Sequence, residues 1–413
     1  MILHRRGPRL WVFAVDHDAV QLSWRALHPG RLRLEVHAGA APLVEPTTLH
    51  LAVPREPGDP TPRADAGAVT LTGLPAGRLL TVRASGSALD GAVEVVARTL
   101  PALGGEELTR IATISDLHLG TESFGQRGTI REREQHDDPH PWRCATAAID
   151  AAVDHGARHL VAKGDLTNLG LAHQWRAYAR LVATCPVPLD AVAGNHDRGA
   201  YGGGAAVAPT DAAAAYGLSI ANPLIVRDLP GVRLVLADTT IAGRNRGTVH
   251  PVAADVLDAA AEAPATGGVL VVLHHQLQPH ALSEGPPVGI PQQESARFLD
   301  QLGAAHPHVL LTSGHTHRHR RWARAGVVVT QVGATKDYPG VWASYRVHEG
   351  GISQSVRRIE RPDCIGWTDR TRRAGLGAWE HVAPGRLDAR CFDVPWSVAV
   401  ADRDPAAYGS TSW

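Results

Sequence analysis

The sequence predicts an α/β domain preceded by a small all-β sandwich. Three observations lead there. Residues 1–103 carry short alternating runs separated by Pro- and Gly-rich turns. Residues 108–360 alternate near-continuous apolar runs with Ala-rich helical stretches. Within that second region, polar residues able to bind metal stand in five places directly behind an apolar run.

In the first region the strand-like runs are 20–24, 32–36, 68–71, 79–84 and 92–99, and residues 54–62 form the most turn-rich stretch. Short strands with regular turn punctuation suggest a sandwich. The paired glycines of 101–107 read as a linker, so residues 1–103 are expected to form an independent unit. In the second region strands are expected at 110–115, 159–162, 189–193, 232–237, 269–273, 309–312, 327–332 and 342–347, with helices at 145–154, 171–184, 252–263 and 292–302. Strands that are apolar throughout and separated by helices imply sheets covered on both faces. Residues 361–413 are expected to hold a helix at 368–381 and otherwise to pack back irregularly as a tail.

The five strand-end clusters carry the chemistry. Run 111–115 ends in Asp116-Leu117-His118, and run 159–163 in Gly164-Asp165. Run 189–193 ends in Gly194-Asn195-His196-Asp197, run 269–273 in His274-His275, and run 309–313 in Gly314-His315-Thr316-His317. Ligands of open α/β sheets bind beyond the carboxyl ends of strands, so the clusters are expected to converge on one crevice. Asp116 and His118 are two residues apart, as are His315 and His317, so each pair can face one side as its strand leaves the sheet. The glycines before Asp165, Asn195 and His315 allow a sharp turn and close approach to an ion. Mixed imidazole and carboxylate donors suit Zn, Mn, Fe or Co better than Ca or Mg. Seven such groups buried without a metal would carry a large desolvation cost. A carboxylate can bridge two ions through its two oxygens, and Asp165 is the natural candidate.

The series DLH, GDLT, GNHD, HH and GHTH, in that order over roughly residues 108–360, resembles the calcineurin-like metallophosphoesterase superfamily, which includes purple acid phosphatases and class III cyclic-nucleotide phosphodiesterases. The resemblance implies a four-layer α-β-β-α sandwich. It implies that Asp116, His118 and His317 hold one divalent ion, that Asn195, His274 and His315 hold the other, and that Asp165 bridges them. The first residue of the pair His274-His275 matches the family ligand. Residues 237–240 with Gly247 fit the family's loop after its middle strand. The implied activity is a binuclear metal-dependent hydrolysis of phosphate monoesters or diesters, with a metal-bridging hydroxide as nucleophile. Two features depart from the family pattern: the charged insertion 121–141, and QLQPH after His275. In the first region VQLSW, LTGLPAGRLLTVRA and ARTLP resemble a fibronectin type III domain.

His196 follows a ligand position, and is expected to protonate the leaving oxygen or to bind the phosphoryl group, unless it is a structural histidine. Arg198 and Arg318 follow ligand clusters, where they would clamp phosphate or stand as surface arginines beside the mouth. Lys163 reads as an outward-facing strand residue, His280 as a pocket or loop residue, and His136, His140 and His319 as solvated. Lys163 and Lys336 are the only lysines beside 39 arginines, a bias that reads as compositional.

The alternatives to a phosphoesterase are a nuclease and a non-catalytic protein-binding scaffold. Formal net charge is zero, which argues against broad nucleic-acid binding. A degenerate scaffold should have lost ligands, and all seven are present. No apolar run has signal-peptide length or reaches the ~18 residues of a membrane span, so a soluble cytoplasmic protein is expected. Cys144, Cys185, Cys364 and Cys391 lack CxxC spacing, which opposes a zinc-thiolate site and suggests free thiols, a Cys364–Cys391 bridge being the lesser alternative.

Overall fold

The computed structural model describes residues 9–52, 65–125, 128–132, 138–199, 205–280 and 287–396. The turn-rich stretch 54–62, His136 and part of the insertion 121–141 lie outside the described residues. The N-terminal strands are β1 (Arg9–Val15), β2 (Ala19–Leu27), β3 (Gly30–Ala38), β4 (Ala41–Pro42), β5 (Thr47–Leu51), β6 (Asp65–Thr72), β7 (Leu79–Ser85) and β8 (Val93–Arg98). They form two antiparallel sheets, one ordered β1-β2-β6 and one ordered β4-β3-β7-β8 with β5 also paired to β3. Period-two alternation turns Leu32, Leu34 and Val36 of β3 and Leu80, Val82 and Ala84 of β7 inward.

The following region contains β9 (Glu107–Ile114), β10 (Ser123–Phe124), β11 (Ile130–Arg131), α1 (His140–Asp154), β12 (His159–Lys163), α2 (Ala172–Thr184), β13 (Leu189–Val192), α3 (Pro209–Tyr216), β14 (Leu224–Leu229), β15 (Val232–Ala237), α4 (Ala253–Ala261), β16 (Gly268–Val272), α5 (Gln292–Ala305), β17 (Val309–Ser313), β18 (Arg320–Arg324), β19 (Val327–Gln331), β20 (Val341–His348) and β21 (Gly351–Arg358). The C-terminal part adds α6 (Pro362–Thr371), α7 (Trp379–Val382), α8 (Leu387–Arg390) and β22 (Cys391–Pro395). Two six-stranded sheets result, ordered β13-β12-β9-β20-β21-β22 and β14-β15-β16-β17-β19-β18. Each has a parallel core: β13-β12-β9 in the first, β15-β16-β17-β19 in the second.

Strand alternation builds four layers. Ile111, Val161 and Tyr345 of the first sheet meet Leu234, Leu270 and Leu310 of the second in one apolar cluster. Ala112, Ile114, Leu160 and Ala162 point the other way, onto α1 and α2. Val235, Val269, Val271, Val309 and Leu311 point onto α4 and α5. Since both faces of both sheets are covered, the central strands have no polar side, which is why they read as continuous apolar runs.

Several elements differ from expectation. β21 escaped notice because Ser353, Gln354, Ser355, Arg357 and Arg358 make it look exposed, yet all are buried. The N-terminal sheets meet several of their polar groups: the amide of Arg358 donates to Gln21 Oε1 at 2.8 Å and Ser355 Oγ to the Val15 carbonyl at 3.0 Å. The expected helix 368–381 is broken. Pro362, favourable in a first helical turn, starts α6 earlier. Leu376 at φ +58°, between Gly375 and Gly377, then ends helical geometry before α7. The tail is also less irregular than expected, because β22 adds an edge strand beside β21. All four cysteines are free thiols. Among the described residues no helix is long and apolar enough to cross a membrane.

Apolar packing runs without a break from the N-terminal sheets into the inter-sheet layer. A charged knot lies in that contact. Asp16 is fully buried; its carboxylate accepts from Arg346 at 3.2 Å and Arg357 at 2.8 Å, and lies 3.4 Å from His155 Nε2. Burial opposes its ionisation, but the His155 hydrogen bond and the Arg357 and Arg346 charges hold it well below the usual carboxylate range. A folded-state pKa that is depressed contributes stability above the unfolded value, about 4, which is lost as pH falls below it. Asp16→Asn is therefore expected to cost about 3–5 kcal/mol at neutral pH by leaving the buried Arg357 guanidinium without its counter-charge, while Arg346 keeps Asp18 and Glu107. Urea denaturation should show the gap between wild type and variant closing as pH falls through the ordinary carboxylate range.

Candidate metal centre

The five strand-end clusters meet at one edge, and their backbone is unusual there. Asp116 (φ +54°), His118 (+47°), Asp165 (+48°), His315 (+67°) and His317 (+53°) are five of the eight non-glycine residues with positive φ among those described. Such conformations cost of order 1–3 kcal/mol each and persist where the surroundings over-determine them. Here they do. The amide of Asp116 donates to the Gly164 carbonyl at 3.1 Å, and that of His118 to the Asp165 carbonyl at 2.7 Å. Asp197 ties two loops together by accepting from the amides of Leu166, Thr167 and Gly194 at 3.0, 2.7 and 2.8 Å and from the Thr167 hydroxyl at 2.7 Å.

The side chains converge. Asp165 places Oδ2 3.5 Å from His118 Nε2 and Oδ1 3.4 Å from His274 Nε2. His317 Nε2 is 3.4 Å from Asp116 Oδ1. His274 Nε2 is 3.2 Å from Asn195 Oδ1 and 3.2 Å from His315 Nδ1. All seven expected ligands are thus brought together. Possible donor atoms cluster within 4.8 Å of one another in the sets Asp116-His118-His317 and Asp116-Asp165-His274, and also in His118-Asp165-His196 and His274-His275-His315.

The electrostatics favour a cation. His274 Nδ1 donates to the Lys163 carbonyl at 2.8 Å, which turns Nε2 toward Asp165 and Asn195. Burial disfavours its charged form, yet the Asp165 and Asp116 carboxylates raise its pKa to about 9. An amide oxygen and a second imidazole nitrogen converge on the same point. A divalent ion fits that donor set, and the donor types fit a transition metal. His317 is oriented in the same manner: Nδ1 donates to Asp337 at 2.6 Å, leaving Nε2 toward Asp116.

The remaining candidates separate by position. His196 Nδ1 donates to the Asn168 carbonyl at 2.7 Å, and its ring meets that of His118 edge-on at 4.4 Å. Arg198 is paired with Asp238. Arg318 is buried rather than placed on the surface. His275 is buried beside His274, with Nδ1 2.9 Å from Thr239 Oγ1. His280 is exposed. Three expectations fail because a four-layer core leaves few free faces. Lys163 points between the sheets and is fully buried, which pulls its pKa down to about 7 against the opposing Asp116 charge. His319 is buried, its Nδ1 accepting from the Gly333 amide at 3.2 Å. His140 is buried, donating to Glu132 at 2.7 Å and stacked 3.8 Å from the Trp367 ring.

Asp337 and Lys336 were not recognised in the sequence. They lie in the loop after β19, a sixth polar cluster behind an apolar strand, and that position was the available signal.

No family model matches the sequence, and no curated protein does. Among solved structures the chain is similar to a purple acid phosphatase, PPD1, from yellow lupin, at 14% identity and TM-score 0.46 over 86% of this chain and 72% of that one. A dimetal phosphatase from Danio rerio matches at 14% identity and TM-score 0.42, over 62% of this chain and 98% of that one. PhoD matches at 10% identity and TM-score 0.42, over 86% and 87% respectively.

Gly194 tests the geometry of the centre. A Cβ there would collide with the Asp165 amide nitrogen and Oδ1, neither of which can move without moving the centre. Gly194→Ala is expected to destabilise the protein by about 1–3 kcal/mol, the usual cost of overpacking. Chemical denaturation measures it, and a variant as stable as wild type would contradict this packing.

Proposed function

We propose that this chain is a binuclear metal-dependent hydrolase of phosphate esters, acting on monoesters or diesters. The observation that carries the reading is Asp165. Its two carboxylate oxygens face His118 on one side and His274 on the other, each within 3.5 Å. A single carboxylate placed between two groups of donors is what a bridging ligand requires. Asp116, His118 and His317 would hold one ion, and Asn195, His274 and His315 the other. When bound, a pair of divalent ions polarises phosphoryl oxygens and supplies a water nucleophile at neutral pH.

The chain's own residues supply orientation and proton transfer. Asp337 and the Lys163 carbonyl fix the rings of His317 and His274 through their Nδ1 protons, the outer hydrogen bonding that metal-binding histidines ordinarily have. The Asn168 carbonyl fixes a proton on His196 Nδ1, so Nε2 is the nitrogen left to exchange a proton. In this reading the doubly protonated ring hands its Nε2 proton to the leaving oxygen of the ester and is left as the neutral Nδ1–H form. Arg198 ties its loop to Asp238.

The protein is expected to carry close to two transition-metal ions per chain. Chelation should abolish hydrolysis of an aryl phosphate, and Mn or a similar ion should restore it. Elemental analysis finding no metal, with full activity after chelation, would sink the proposal.

Adjacent residues should fail differently. Asn195→Ala should weaken occupancy of one ion, with partial recovery at high metal. His196→Ala should leave metal content near normal while lowering turnover of alkyl esters by about 10²–10⁴-fold, the usual range for general acid catalysis. Aryl esters, whose leaving groups depart without a proton, should suffer little. Equal loss on both esters, or loss of a metal, would rule out the proton-donor role.

A further inference from the structure

Composition bias accounts for 39 arginines but not for the two lysines that escaped it. Both lie against the candidate centre. Lys336 Nζ is 3.6 Å from the Asp337 carboxylate that holds His317. Lys163 is fully buried between the sheets, and its contacts are the more informative.

Lys163 closes β12 in the first sheet. Its Nζ crosses the inter-sheet layer and donates to Thr312 Oγ1 at 3.1 Å and to the Ser313 carbonyl at 3.1 Å, both on β17 of the second sheet. Tyr345 on β20 reaches across from the first sheet as well, donating to the same Thr312 Oγ1 at 2.9 Å. The Lys163 carbonyl meanwhile accepts the Nδ1 proton of His274. Asp165 lies two residues beyond Lys163, and His315 two residues beyond Ser313. One residue therefore ties the sheets together directly beneath ligands from both, and orients a third ligand with its own backbone. The site calls for a compact ammonium on a long stem. A guanidinium would bring a planar fork of five donors to two acceptors inside an apolar layer.

We propose that Lys163 is a positioning residue that sets the spacing between the two halves of the metal centre, a role that rests on the metal-hydrolase reading above. It touches neither substrate nor reacting atoms. It acts by fixing where the ends of β12 and β17 stand relative to each other.

The test uses the full chain as Lys163→Met, Lys163→Arg, Thr312→Val and Tyr345→Phe, loaded with Mn²⁺. Equilibrium dialysis with elemental analysis reads Mn²⁺ affinity. Electron paramagnetic resonance reads the exchange coupling between the two ions, which depends on their separation. Wild type should take up two coupled ions. Lys163→Met should bind Mn²⁺ about 10–100-fold more weakly, as when outer partners of metal ligands are removed, with altered coupling. Thr312→Val should shift both readouts the same way by less, and Lys163→Arg should not restore them. A Lys163→Met protein with a lowered melting temperature but wild-type Mn²⁺ affinity and coupling overturns the proposal, because Lys163 is then merely structural. If Lys163→Met does not fold, wild-type affinity and coupling in both Thr312→Val and Tyr345→Phe overturn it. A wild type that takes up no Mn²⁺ is a different failure: the hydrolase reading falls, and this proposal with it.

Discussion

One carboxylate has to sit between two histidines that belong to different sheets. Asp165 leaves β12 and His118 leaves β9, both in the first sheet, whereas His274 leaves β16 in the second. Bringing the three within 3.5 Å requires the carboxyl ends of both parallel cores to lie side by side. That fixes the relative placement of the sheets, and with it the thickness of the apolar layer between them. The left-handed backbone at Asp116, His118, Asp165, His315 and His317 follows from the same constraint. Each strand runs into the crevice and turns there at once.

Buried charge organises the rest. Asp116 and Asp165 are almost wholly removed from water, a placement that is unfavourable unless opposite charge compensates it. The protein surrounds them with imidazoles whose outer nitrogens are spoken for by the Lys163 carbonyl and Asp337, so the inner nitrogens have one direction to face. The same logic recurs away from the site. Asp16 is as buried as Asp116, and Arg346 and Arg357 arrive from the second region to meet it. The N-terminal sheets are thus held by an ionic knot as well as by a shared apolar cluster.

The fold was legible in the sequence where burial was total. β12, β16 and β17 are apolar on both faces, so their limits could be read to within a residue or so, and the polar residues that end them stood out. Strands that make polar contacts were not legible. β21 hides its burial behind polar residues, of which Ser355, Arg357 and Arg358 find partners more than 300 residues away in the N-terminal region. Lys163 was misread for a related reason: a lysine ending an apolar strand ordinarily turns to water, and nothing local reveals that a second sheet covers it. The tail helix failed on local grounds. Its 3.6-residue pattern continues across Gly375 to Gly377, but the backbone there adopts positive φ. The residues of the strand-end motifs stand out in the sequence and those that orient them do not: Asp337 follows its strand at a distance, and the Lys163 carbonyl acts through a backbone hydrogen bond that leaves no side-chain signal.

Two segments outside the strand-end motifs, the insertion and the C-terminal part, come together near His317. Phe124, on the hairpin of β10 and β11 within the insertion, stacks on His317 at 6.2 Å. Trp379, from the C-terminal part, lies 5.9 Å from Phe124, and Lys336 Nζ stands 4.9 Å from the same ring. The His317 side of the centre is therefore bordered by residues from the insertion, the loop after β19 and the tail, while His275, packed against His274 and His315, is bonded to Thr239. Metal ligands dictate what kind of bond can be attacked, and walls dictate which molecule brings that bond within reach. Phe124, Trp379 and Lys336 stand outside the strand-end motifs, so the motifs do not describe this wall.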